Sequence, residues 1–306
     1  MKLPKRITKD STIGIIAPAS PRPKLEIDEK LSSFSSLGLK IKKGYHLYDN
    51  HGYLAGKDRD RAEDLNLMYS LKEIDAILCY RGGYGTMRMM PYIDYNTIYK
   101  SPKIFVGYSD LTIFLNYIAD RFKTITFHGP MASSDFSDIS TRESFLTTLM
   151  EGYKPYTIEN PKAYPLESNG DYLAEGRLAG GNLSLIYASL GTPYEINLNN
   201  KILFIEEVGE KPYAIDRMLT ALLLSGKLRS CRGVILGHFT DCDSSLEDGS
   251  LTLKEVLEDR IINFDLPVIT DLCCGHSYPN LTLPMGAKIK MDCKNKKIEV
   301  LEPVVR

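Results

Sequence analysis

Along the first 130 residues, short apolar runs alternate with stretches whose apolar side chains recur every third or fourth position. "TIGIIAP" (12–18) has the character of a buried strand, and residues 25–36 are expected as a helix. "LKIKKGY" (39–45) reads as a second strand, followed by "KDRDRAEDLNLMYSL" (57–71), whose Ala62, Leu65, Met68 and Tyr69 fall along one helical face. "AILCYRG" (76–82) is a third strand with "TMRMMPYI" behind it, "KIFVGYS" a fourth and "TITFHGP" (124–130) a fifth. After the fourth strand, Leu111, Phe114, Leu115, Ile118 and Phe122 keep the i, i+3, i+4 spacing of an amphipathic helix. Strands alternating with helices predict a parallel sheet covered on both faces.

From about residue 132 the pattern loosens into polar, turn-rich sequence. Residues 1–150 are expected as an N-terminal α/β domain, 151–172 as a linker, and 173–306 as a C-terminal domain of mixed β and α. The second unit opens on "GRLAGGNLSLIYASLGTPY", read as a glycine turn entering a helix. "KILFIEEVGE" (201–210) and "RGVILGHF" (232–239) read as strands around the helix "AIDRMLTALLLSG". The tail "LTLPMGAKIKMDCKNKKIEVLEPVV" alternates apolar and polar residues, with turns at 284–286 and 294–296, and predicts a small antiparallel meander.

Composition narrows the function classes. The 306 residues are 43% hydrophobic and 25% charged, with a formal net charge of -1. No charge excess exists to neutralise phosphates or an anionic bilayer, so neither nucleic acid nor membrane is an expected partner. The start "MKLPKRITKDSTIGIIAPAS" lacks an apolar run long enough for a signal peptide, and no later run approaches a membrane span, so a cytoplasmic location is expected. The six cysteines (79, 231, 242, 273, 274 and 293) form no CxxC pair. "CCGH" does not supply the four ligands of a zinc site, and reduced thiols are expected, with no metal.

One serine, Ser109, stands where the fourth strand meets its helix. Serine is a good N-cap and Asp110 complements the helix dipole, so a structural role is the default. The same joint, at the carboxyl end of a parallel sheet, would aim the hydroxyl into the crevice where α/β proteins bind ligands. There the N–H of Asp110 would face an oxyanion. The G-x-S-x-G pattern of α/β-hydrolases is absent, since Leu111 takes the place of the second glycine. "CYRGGYG" places Gly82, Gly83 and Gly85 just after the third strand, without G-x-G-x-x-G spacing. Such a bare backbone can approach a ligand and donate N–H groups, as a second half of an oxyanion hole does. His128, His238 and His276 end strands or lie in turns, and Glu206, Glu207 and Glu210 cluster at the end of one strand. Spacing alone does not choose among them. Adjacent strand residues point to opposite faces, so one of Glu206 and Glu207 would reach a histidine while the other met solvent.

The blocks "GIIAPAS", "LAGKDRDRAEDLNLMY", "AILCYRGGYGTMRMMPYIDY", "PKIFVGYSDLT", "HGPM", "RLAGGNLSLIYASLGTPYEI", "LFIEEVGEKPYAIDRMLTAL" and "GHSYPNLTLPMGAKIKMD" run over nearly the whole chain. Together they resemble the LD-carboxypeptidases, serine peptidases that include the microcin C immunity protein. The resemblance implies an N-terminal α/β domain and a C-terminal mixed β/α domain with the active site between them. It also implies a Ser-Glu-His triad of Ser109, Glu206 and His276, although the family usually has Glu-Asp where this chain has Glu206-Glu207. The oxyanion hole it implies uses the amide of Asp110 and a glycine of "RGGYG", Gly82 or Gly83. The implied substrate is a murein tetrapeptide cut between an L-diamino acid and terminal D-alanine in cell-wall recycling, by a homodimer that needs no cofactor. Hydrolysis of a peptidyl- or aminoacyl-nucleotide antibiotic is the alternative within the family, and a non-catalytic ligand-binding module the alternative outside it. Arg81, Arg88 and Arg177 are candidates, by charge alone, for gripping the terminal carboxylate.

Overall fold

The computed structural model describes residues 1–35, 37–243 and 249–306. The first sheet is built from β1 (Thr12–Ile16), β2 (Lys40–Lys43), β3 (Ala76–Cys79), β4 (Ile104–Gly107) and β5 (Thr126–His128), all parallel, in the order β2-β1-β3-β4-β5. Every residue of β3 and β4 is buried, as the continuous apolar runs require of central strands with both faces covered. The helices α1 (Lys24–Ser35), α2 (Asp58–Ser70), α3 (Thr86–Met89), α4 (Tyr95–Lys100) and α5 (Thr112–Arg121) fall within its connections. This strand order reverses between β1 and β3, and in such open sheets ligands bind at the carboxyl ends beside that reversal. The loops leaving β1 and β3 there carry Ser20 and Gly82–Gly83.

The "ISTRESFLTTLME" stretch, polar enough to look like loop, forms α6 (Ile139–Glu151), capped by Asp138, whose Oδ1 accepts from Thr141 N at 2.8 Å. Its buried Phe145 and Leu149 make one narrow apolar stripe, which composition alone conceals. Residues 151–172 contain β6 (Tyr156–Ile158) and β7 (Glu167–Ser168), paired with strands of a second sheet. That sheet includes β8 (Leu173–Asn182), β9 (Lys201–Val208), β10 (Gly233–Thr240) and β11 (Val268–Thr270), parallel to one another, with α7 (Leu183–Ala188), α8 (Pro212–Leu224) and α9 (Leu253–Leu257) among their connections.

Two expectations for the second half are corrected. "GRLAGGN" is not a turn but the end of β8, which runs straight into α7. The tail is not one meander. Its β12 (Leu283–Met285) pairs antiparallel with β5 at the edge of the first sheet, and only β13 (Lys288–Asp292) and β14 (Lys297–Val300) form a hairpin in the second. The edge of β5 offers unpaired backbone beside apolar side chains, and the buried Leu283 and Met285 cover it.

The two sheets are tied together behind Ser109. Asn116 on α5 bonds both ways with Gly180 of β8 (Gly180 N to Oδ1 2.8 Å, Nδ2 to Gly180 O 2.7 Å), and Asn182 N donates to Thr112 Oγ1 at 3.0 Å. The helix behind the serine is thereby clamped to the strand beside β9, which carries Glu206.

Candidate active site

Ser109 has φ 63°, a left-handed conformation that costs an ordinary side chain of the order of 1–2 kcal/mol. It opens a short 3₁₀ turn before α5, and its hydroxyl caps neither that turn nor the helix. An N-cap serine would take extended backbone and accept a bond from the first turn. The N-cap explanation therefore fails on both counts, and the chain holds a strained serine at the joint. Asp110 reaches beyond its own turn. Its carboxylate is 2% exposed and accepts the Thr86 N–H at 2.7 Å, which fastens the glycine loop to the serine turn. Burial pushes its pKa up, opposed by the Thr86 bond and by the Arg61 guanidinium.

Gly82 lies against the serine. A Cβ there would stand 2.8 Å from Ser109 Cβ, 3.0 Å from its Oγ and 3.5 Å from Asp110 N, so no larger residue fits without displacing the hydroxyl. Gly83, at φ 119°, turns its α-carbon toward Ser20, whose Oγ accepts from Tyr84 N at 3.1 Å.

His276 and Glu206 come together from segments 70 residues apart. His276 Nδ1 is 2.6 Å from Glu206 Oε2, which fixes the Nδ1 proton toward the carboxylate and leaves Nε2 as the free nitrogen. Glu206 is wholly buried, and burial pushes its pKa up while the bond to His276 draws it down. The Tyr108 ring packs edge-on against the His276 ring at 4.9 Å, so the residue preceding Ser109 touches the histidine directly. Gly275 permits this approach, since a Cβ there would come within 2.9 Å of Glu206 Oε2.

Glu207 points the other way, as adjacent strand residues must, but does not meet solvent. At 2% exposure it accepts from Asn182 Nδ2 and Val208 N (both 2.8 Å) and from Ser184 N and Oγ (both 2.7 Å), bracing the start of α7. His128 is fully buried between Tyr108 and Phe204 with both ring nitrogens unpartnered, and burial lowers its pKa to about 3. His238 sits beside Gly275, and burial lowers its pKa too. A groove of about 840 Å³ next to β10 is lined by His238 but by neither Ser109 nor His276.

The sequence reading missed Arg61. Fully buried, it donates to the carbonyls of Gly56 (3.3 Å), Gly85 (2.8 Å) and Pro18 and pairs with Asp58, pinning both crevice loops at once. A signal existed: Arg61 lies on the same stripe as Leu65 and Met68 at i, i+4, i+7, where a charged residue needs buried partners. Among the described residues, His46, Asp49 and Asp60 bring ligand-type atoms within 4.8 Å of one another, and none of them belongs to this constellation. All six cysteines are buried and unpaired.

The model of the LD-carboxypeptidase N-terminal domain matches residues 13–129, and that of the C-terminal domain residues 175–291. The chain belongs to the LD-carboxypeptidase family. A probable murein peptide carboxypeptidase of Bacillus subtilis is 42% identical over 96% of this chain and 92% of its own length. The microcin C7 self-immunity protein MccF of Escherichia coli is 31% identical over 95% of this chain and 93% of its own. The crystal structure of muramoyltetrapeptide carboxypeptidase from Oxalobacter formigenes superposes with a TM-score of 0.84 at 29% identity, covering 94% of this chain and 97% of that one. Membership makes this chain an LD-carboxypeptidase with the expected α/β architecture, and the resemblance read from its motifs holds along its length. Among the described residues no helix is long and apolar enough to cross a membrane.

Proposed function

We propose that Ser109, His276 and Glu206 form a catalytic triad that removes the terminal D-alanine from murein tetrapeptides. The observation that carries this reading is the strained, non-capping Ser109, whose neighbour Tyr108 packs against a histidine with its Nδ1 held by a buried carboxylate. His276 Nε2 takes the Ser109 proton as Oγ attacks the carbonyl of the L-diamino acid. The oxyanion is met by the N–H of Asp110 and one from the Gly82–Gly83 pair, each worth of the order of a hundredfold or more in rate. His276 returns its proton to the leaving D-alanine amine, and water, deprotonated by the same imidazole, releases the acyl-enzyme. Glu206 holds the tautomer and stabilises the imidazolium. The names of the Bacillus subtilis and Oxalobacter formigenes relatives support the substrate class. A cytoplasmic location, a homodimer and a role in cell-wall recycling belong to the same proposal and rest on family resemblance.

The test is release of D-alanine from a tetrapeptide ending L-diamino acid–D-alanine, with a chelator present and the L-alanine epimer as control. Activity abolished by the chelator, or equal cleavage of the epimer, refutes the reading. The likeness to the microcin C7 self-immunity protein favours a second reading, hydrolysis of a peptidyl- or aminoacyl-nucleotide. Cleavage of such a nucleotide with inertness toward tetrapeptides would establish it.

A further inference from the structure

A carboxypeptidase must recognise a free carboxylate beyond the scissile bond, and three arginines are candidates by charge. Two are already engaged. Arg88 is forked onto Asp58, with Nε 3.1 and 3.2 Å from its two oxygens and Nη2 3.1 Å from Oδ2. Arg177 Nη1 bonds Glu302 Oε1 at 2.7 Å and Gly286 O at 2.8 Å.

Arg81 differs. It precedes Gly82 at the end of β3, so its Cα is one residue from the glycine that touches Ser109. Among the described residues its one side-chain hydrogen bond is to Pro21 O, long at 3.4 Å, and no carboxylate lies within ion-pair distance of it. The nearby charges are Arg22, which repels it, and Glu26, which is itself paired with Arg22 at 3.3 Å. Tyr80 and Tyr108 also lie close enough to act on its charge. Burial and the Arg22 charge together hold its pKa below the usual arginine value. Two guanidinium groups and one carboxylate leave an uncompensated positive charge, half desolvated, at the carboxyl end of the sheet beside the nucleophile. A guanidinium in that state is costly unless an anion completes its fork.

We propose that Arg81 binds the terminal carboxylate of the leaving residue, an assignment that rests on the carboxypeptidase reading of the same site. The planar fork meets both carboxylate oxygens, and with the terminus amidated the guanidinium keeps only the long bond to Pro21. This pairing would place the scissile carbonyl between Ser109 and the glycine loop.

The experiment compares kcat/KM for a tetrapeptide with a free terminus and for its C-terminal amide, in the wild type, Arg81→Met and Arg81→Lys. The wild type should prefer the free acid by about a hundredfold or more, because the amide leaves a partly buried cation unpaired. Arg81→Met should lose about that factor on the acid and less than about threefold on the amide, collapsing the preference toward one. Arg81→Lys should recover part of the preference through charge without the fork. The rate at which Ser109 is labelled by a fluorophosphonate should not change in either variant, which shows an intact nucleophile. An equal fall on both substrates, or an unchanged preference in Arg81→Met, overturns the assignment, including the case in which Arg81 reads another carboxylate of the peptide. A wild type that is labelled yet inert toward the free acid overturns the carboxypeptidase reading and this assignment with it.

Discussion

Glu206 and Glu207 are adjacent, both buried and both carboxylates, yet substitution by glutamine should separate activity from stability. Glu206 offers Oε2 to His276 at 2.6 Å, and its other oxygen is buried without a protein partner. Glutamine has nearly the same shape, so its carbonyl can still accept from Nδ1, but the charge that stabilises the imidazolium in the proposed mechanism is gone. Loss of that orienting charge in a triad costs about 10³–10⁴ in kcat, or roughly 4–5.5 kcal/mol of transition-state stabilisation. Stability should move little or rise. Burial raises the Glu206 pKa, so between the unfolded value of about 4.3 and the folded one the native state holds the proton more tightly. This contribution is present at low pH and lost as the pH rises through that window, so at pH 7.5 glutamine escapes a cost that the carboxylate bears.

Glu207 is the reverse case. Its two oxygens accept from Asn182, Val208 and twice from Ser184, all at 2.7–2.8 Å. Glutamine turns one acceptor into a donor, leaving two of these donors facing an N–H₂ group. At about 1–3 kcal/mol for each buried donor left unpaired, the cost is roughly 2–6 kcal/mol. That corresponds to about 3–9 °C in Tm for a protein of this size. Turnover measured well below the lowered Tm should stay within about fivefold of wild type, because Glu207 touches neither His276 nor Ser109. The assay pairs D-alanine release at 20 °C with thermal and urea unfolding at pH 7.5. An inactive Glu207→Gln at unchanged Tm, with an active Glu206→Gln, would refute the reasoning and shift the proposed triad acid by one residue.

Two further outcomes follow from the same geometry. Ser109→Ala should abolish turnover, by about a millionfold, with stability within about 0.5 kcal/mol because no cap is lost, while Ser109→Gly should be equally inactive but about 1 kcal/mol more stable through relief of the positive φ; a Ser109→Ala loss of about 1 kcal/mol or more in urea unfolding would restore the capping role. His128 has its pKa lowered to about 3 against about 6.5 unfolded, so its contribution is present at neutral pH and lost as the pH falls below 6.5, reaching about 2 kcal/mol by pH 5. His128→Phe keeps an aromatic ring between Tyr108 and Phe204 without titrating, and should narrow the gap in unfolding free energy between pH 7.5 and 5.0 by that amount; an unchanged gap would mean that His128 is not the source.

The sequence was most informative where one local rule governed. Apolar runs located β1, β3 and β4 because strands buried on both faces leave no polar face to confuse the pattern. Apolar spacing also located α2 and α5. It failed on α6, whose single narrow apolar stripe is diluted by Ser, Thr and Glu, and on "GRLAGGN", where glycines that usually mark a turn instead let β8 lie against β9 and α5. The β12 strand was invisible for a different reason. Its partner β5 lies more than 150 residues earlier, and no local periodicity records which sheet an edge strand joins.

The site divides along the same line. Local sequence is enough for the kinds of group available: a serine at a strand-to-helix joint, a glycine loop after β3, paired glutamates ending β9 and a histidine beside a glycine. Those are consequences of neighbours along the chain. Which glutamate faces the histidine, whether the serine caps its helix, and which of the three arginines has no carboxylate beside it emerge only when distant segments meet. Each depends on a hydrogen bond or an ion pair between segments that the chain brings together after tens of residues. The alternation of a strand says that Glu206 and Glu207 diverge, but the direction of each is set by the docking of β8, β9 and the 274–276 turn. Charge marks Arg81, Arg88 and Arg177 alike, and the placement of Asp58 and Glu302 distinguishes them, because an ion pair is a property of two positions in space.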